Sequence, residues 1–134
     1  MSFRQRNSEI LASFRRLPVW VQCWVGLLAV ANSLWLFLLD TPTGVLTGVA
    51  AIFVLLTNLP IMYVTGGMSK LMSIPHLLAW IPLEVYLIGS LLGNAPMQPA
   101  EAFYASGLLI INGISLGFDF RDAWLWLMGD RAIP

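Results

Sequence analysis

The chain has 134 residues, of which 58% are hydrophobic and only 10% charged, with a mean hydropathy of +0.79. A soluble domain carries about 25% charged residues, and a soluble core of this size cannot hide so much apolar surface, so the solvent for most of this chain is lipid. Seven basic and seven acidic residues cancel formally, and the single cysteine, Cys23, excludes an intrachain disulfide and any multi-cysteine metal site.

Residues 1–16 are polar and basic, with Arg4, Arg6, Arg15 and Arg16 against one acid, Glu9. Ser8 and Glu9 can start a short helix over residues 8–17. In it Ile10, Leu11, Phe14 and Leu17 recur at helical spacing, as in a segment lying on a membrane surface. Pro18 then suits the start of a new helix.

Residues 19–39 form the first predicted span, long enough to cross a hydrocarbon core of roughly 30 Å. Trp20 and Trp24 sit at its start, where amphipathic rings favour the headgroup boundary. The Ala29-Val30-Ala31 triplet resembles a signal-peptide cleavage site, but the apolar run continues through Leu39, and an uncleaved anchor is expected.

After a turn at Asp40-Thr41-Pro42-Thr43, residues 44–64 form the second span, with Pro60 in its last turns. A glycine-containing loop holds the one lysine, Lys70. Residues 74–92 form the third span. Pro75 suits its first turn and Pro82 predicts a kink inside it. Residues 93–99 read as a turn, 102–118 as the fourth span, and 119–128 as an interfacial segment mixing charges with Trp124 and Trp126. The expected fold is therefore all-α: one domain, a bundle of four transmembrane helices.

All seven basic residues fall on one side of this arrangement, together with four acids, whereas the two opposite turns hold only Asp40 and Glu101. Basic loops stay in the cytoplasm, so both termini are expected there.

Each span carries one strongly polar residue: Asn32, Asn58, Glu84 and Asn112. Glu84 lies ten positions beyond Ile74, about 15 Å deep at 1.5 Å per residue. Asn58 and Asn112 lie about 9 Å deep from the same side. The three are expected to share one polar cluster, with Asn32 a looser member and Glu84 donating to an asparagine carbonyl. An ionisable group at such depth is costly and marks a functional site by default. Asparagines at these positions also serve as interhelical glue.

His76, Trp80 and Glu84 follow at intervals of four along one face. His76 and Glu84 are separated by about 12 Å and cannot touch. They can bracket a pocket, with Trp80 and Tyr86 lining it. The plainer reading makes His76 an interfacial histidine bonded to headgroups, water or Asp119. Three GxxxG motifs, at Gly44/Gly48, Gly89/Gly93 and Gly113/Gly117, predict close helix approach within the chain or between copies.

Two stretches, RLPVWVQCWV at 16–25 and SKLMSIPHLLAWIPLEVYL at 69–87, resemble small, uncharacterised four-span proteins of the bacterial inner membrane. The resemblance implies that location and no activity.

The leading functional expectation is a non-enzymatic membrane component. It binds an apolar or amphipathic ligand, or a partner subunit, inside the bundle around Glu84, with Asn58, Asn112, His76, Trp80 and Tyr86 nearby. The alternative is an oligomeric proton or ion conductor with Glu84 copies facing a symmetry axis. No Ser–His–acid order, metal-ligand cluster or phosphate loop appears. No catalytic residue, cofactor, metal or nucleic-acid partner is expected. The expected partners are membrane lipid and a homo-oligomer or larger membrane complex.

Overall fold

The computed structural model describes residues 1–93 and 97–134. Five helices run in order: α1 (Phe3–Arg15), α2 (Val19–Ala31), α3 (Pro42–Thr65), α4 (Ser73–Leu92) and α5 (Pro99–Leu127). Short 3-10 turns precede α3 (Leu34–Phe37) and α4 (Lys70–Met72). Four segments are long and apolar enough to cross a membrane: Val19–Phe37, Pro42–Thr65, Lys70–Leu92 and Pro99–Leu127. Much of their apolar surface faces outward. Leu56, Val64, Leu78, Val85 and Phe103 are each more than 60% exposed, as lipid-facing side chains are.

α1 begins at Phe3, five residues before the expected Ser8. The Ser2 hydroxyl accepts from the Gln5 N–H (3.2 Å), a cap at the helix start. Arg6 pairs with Glu9 one turn on (2.8 Å).

The first span is not one helix. α2 stops at Ala31, where the Asn32 and Ser33 side chains bond back to the carbonyls of Leu28 and Ala29 (3.0 and 2.5 Å). Such local bonds compete with the helix ladder, and the chain tightens into the 3-10 turn.

That turn lies directly on α3. A Cβ at Gly44 would run into the Leu38 backbone, and one at Gly48 would meet the Trp35 ring at 2.7 Å. The first GxxxG motif therefore seats the chain's own preceding turn.

α3 opens with Thr41 accepting from the Gly44 N–H (3.0 Å) and Pro42 in its first turn. It ends at Gly66, whose φ of 81° lies in the left-handed region that glycine tolerates. Ser69 caps the turn that leads into α4 (3.1 Å).

α5 is one continuous helix of 29 residues, about 43 Å long at 1.5 Å per residue. Residues 119–127, expected as the fourth helix emerging at the interface, are its last turns. The turn expected over 93–99 contains residues 94–96, outside the described residues.

α4 is the central element. Its interface with α5 is the largest between helices, and its interface with α3 is next. α2 is the outlying span: 6% of its apolar window is buried, against 33% for α4 and for α5.

Both termini meet at one end of the bundle. Arg16 Nη1 approaches the Pro134 carbonyl (3.5 Å), Lys70 pairs with Asp130 (3.5 Å), and Arg131 lies over the Trp126 ring (4.0 Å). This is the basic end; the opposite one, near Asp40 and Glu101, is the far end.

Candidate functional site

The buried polar residues sort into three layers. Near the basic end, α3 and α5 contribute the buried Asn58 and Asp119 and α4 the half-buried His76. His76 Nδ1 lies 3.2 Å from Asp119 Oδ1, and its Nε2 lies 3.0 Å from Asn58 Nδ2. Asp119 as a carboxylate only accepts, so Nδ1–H donates to it and Nε2 accepts from the Asn58 amide. The His76 ring stacks on Trp80, with centroids 4.5 Å apart and planes 4° from parallel. Of the partners expected for His76, Asp119 is the one the fold supplies.

In the middle layer Asn32 and Asn112 bond reciprocally. Asn32 Nδ2 donates to Asn112 Oδ1 (2.8 Å) and Asn112 Nδ2 to Asn32 Oδ1 (3.0 Å). Asn112 is fully buried. Tyr104 donates to the Ala31 carbonyl (2.6 Å), holding the end of α2 to α5.

Glu84 lies on α4, only 9% exposed, with Oε2 against the space at Gly113. It hydrogen-bonds neither Asn58 nor Asn112, and its Oε1 has no protein partner. The expected cluster is thus divided. Asn58 turns to His76, Asn112 to Asn32, and Glu84 to the α5 backbone at Gly113.

At the far end the Thr43 hydroxyl donates to Glu101 Oε1 (2.9 Å) and lies 3.2 Å from the Tyr86 hydroxyl. Thr43 and Glu101 are buried. Tyr86, expected beside Glu84, serves this layer instead. Thr43 and Glu101 were missed as site residues because both sit at span ends. Their signal in the sequence is a carboxylate in the first turn of a helix after proline, where the helix dipole favours it.

A groove of about 800 Å³ runs between α2 and α3 beneath α1. Leu28, Ala51, Leu55 and Leu59 form much of its wall, and Asn58, His76 and Trp80 its polar margin. Toward the basic end it meets Ile10, Leu11 and Phe14 of α1, with Met62, Met68 and Met72. None of the described residues lining it is Lys, Arg, Asp or Glu. The opposite face of α1, with Arg6, Glu9, Ser13 and Arg16, borders a separate polar hollow of about 510 Å³. α1 therefore divides an apolar space from a polar one, as a helix at a membrane boundary does.

Among the described residues no three His, Cys, Asp or Glu side chains come together as a metal-binding set. No protein-family model, curated protein or solved structure matches the chain.

Proposed function

We propose that the chain is a multi-pass protein of the bacterial inner membrane, with both termini cytoplasmic, that binds an amphipathic lipid in the groove between α2 and α3 without catalysing its turnover. The groove is the observation that carries this reading. Its volume of about 800 Å³ falls within the roughly 300–1,000 Å³ of ligand pockets. Its walls suit a hydrocarbon chain, and three methionines give its basic end the adaptable lining of sites that accept varied apolar shapes.

The polar margin lies at His76 and Asn58, which take the anchoring role that the sequence had given to Glu84. With no cation or carboxylate along the wall, the part of the ligand inside the groove is uncharged. Any charged head lies outside the wall, at the basic end.

The alternative of an oligomeric conductor asks Glu84 to face a shared axis. Glu84 instead packs inward against α5 at Gly113, which favours the binding reading.

The test is lipid retention. The chain purified in mild detergent should carry lipid, read by native mass spectrometry. Ala51→Trp, which fills the groove, should abolish that retention while the helical content stays unchanged. Equal lipid on the folded variant would remove the groove from the function.

A further inference from the structure

Two polar stripes face each other where α4 meets α5. On α4, His76, Trp80 and Glu84 stand one turn apart. On α5, Asn112, Ser115 and Asp119 are buried at spacings of three and four, so they share a face. The His76–Asp119 bond ties the two stripes at the basic end, and Glu84 meets α5 at Gly113, two turns deeper.

Three buried polar atoms of these two helices have no protein partner, Glu84 Oε1, Trp80 Nε1 and Asp119 Oδ2, and Asn58 Oδ1 on the neighbouring α3 is a fourth. A buried polar atom left unpaired is costly, so neighbouring atoms of this kind call for a shared partner. Internal water bridges such groups where two to four polar atoms converge. One donor, Trp80 Nε1, and three acceptors suit it.

Beyond Glu84 the seam changes character. Leu87, Ala105 and Leu108 are at most 1% exposed. Along α5, Ala105 and Leu108 lie between Gly113, where Glu84 packs, and Glu101 at the far end, where Thr43, Tyr86 and Glu101 already have partners.

We propose that Glu84 is a proton-binding site served from the basic end only, by water held between the α4 and α5 stripes, with Leu87 and Leu108 sealing it from the far end. The titratable groups on its path are His76 and Asp119. Toward the far end lie Tyr86, Tyr104 and Glu101, each already hydrogen-bonded. The parts of α2 and α3 that border the seam contribute asparagine and threonine, which do not titrate. The Glu84 carboxylate takes a proton at Oε1 from a bridging water, and that water regains one from solvent through the Asp119 end. No net charge crosses the bundle, so this is a loading site rather than a channel. It adjoins the groove, which shares Asn58, His76 and Trp80 with it but which Glu84 does not line.

The test is infrared difference spectroscopy on the full chain in oriented lipid vesicles, with the Glu84 carboxyl band assigned by its loss in Glu84→Gln. The band should exchange in D2O and should follow the pH at the basic end, not at the far end. Trp80→Phe keeps a ring beside His76 but removes the Nε1 donor, and should slow the exchange about tenfold. Asp119→Asn should slow it similarly. A wild-type band that does not exchange, or that follows the far-end pH, overturns the proposal. So does exchange at the wild-type rate in both folded variants. The wild-type measurements stand even where a variant fails to fold.

Discussion

Asn32 and Asn112 hydrogen-bond each other twice, at 2.8 and 3.0 Å, across 80 positions of sequence. The pair joins the residue that follows α2 to the middle of α5, and it sits where α2 has little other burial to hold it.

The pair should therefore behave as a unit in stability measurements. Asn112→Leu removes both bonds and strands the Asn32 amide, at a cost of about 1–3 kcal/mol. The double variant Asn32→Leu/Asn112→Leu should cost less than the sum of the two singles, because neither partner is then left unpaired. Unfolding equilibria in mixed micelles measure both. Strict additivity would mean that the two amides act independently.

The spans themselves are legible from hydropathy, since 20 apolar residues have few other fates. Details decided by single side chains are not. Apolar patterning carries residues 19–39 through as one helix. The break comes from Asn32 and Ser33 turning back onto their own helix. At the other end, charges at Asp119, Arg121 and Asp122 read as the helix leaving the membrane. Leaving the membrane does not end a helix, and α5 runs on to Leu127.

The polar cluster shows the same limit. Counting residues gives depth along each helix. Depth does not give rotation about each helix axis, and rotation decides the partners. Asn112 turns toward α2, Asn58 toward His76 and Glu84 toward Gly113. The sequence offers Asp119 as a partner for His76 while placing it in an interfacial segment; its side chain is 12% exposed.

The glycines divide into two classes that mutation should separate. Gly44→Ala and Gly48→Val drive atoms into the Leu38 backbone and the Trp35 ring, and should destabilise by about 1–3 kcal/mol through overpacking. Gly89→Ala and Gly117→Ala meet nothing within 4 Å, and should gain helix propensity of up to about 1 kcal/mol. A marked loss of stability at Gly89 or Gly117 would indicate that those faces are covered by another copy or subunit in the membrane.

The charge pattern predicts the orientation of the bundle. Cytoplasmic reporters fused at either terminus should be active, and cysteines placed near Asp40 should react with membrane-impermeant thiol reagents from outside. All seven basic residues lie at the end where the termini meet or on the helices and loops beside it. The opposite labelling pattern would make this bundle an exception to the rule that basic loops remain inside.

The His76 tautomer is a sharper check on the layer at the basic end. Nitrogen NMR should find the proton on Nδ1, held by Asp119, with Nε2 accepting from Asn58. In Asp119→Leu the Nδ1 proton loses its acceptor. Nε2–H should then donate to the Asn58 carbonyl after the amide turns over. An Nε2–H tautomer in the wild-type chain would mean that the His76–Asp119 contact is not a hydrogen bond from the ring.

The far-end layer carries the last prediction, and charge and hydrogen bonding can be separated there. Glu101 stands in the first turn of α5, where the helix dipole favours a negative group, and it accepts from the buried Thr43 hydroxyl. Glu101→Gln keeps an acceptor for Thr43 and gives up the dipole interaction, so it should cost no more than about 1 kcal/mol. Glu101→Ala strands the Thr43 hydroxyl, which is fully buried, and should cost about 1–3 kcal/mol. Thr43→Val removes the other partner and leaves the buried carboxylate with one fewer donor, so its cost should be of the same order. If Glu101→Gln is as damaging as Glu101→Ala in unfolding measurements, the charge holds this layer rather than the hydrogen bond. The cluster would then have to include a cationic partner from outside the chain.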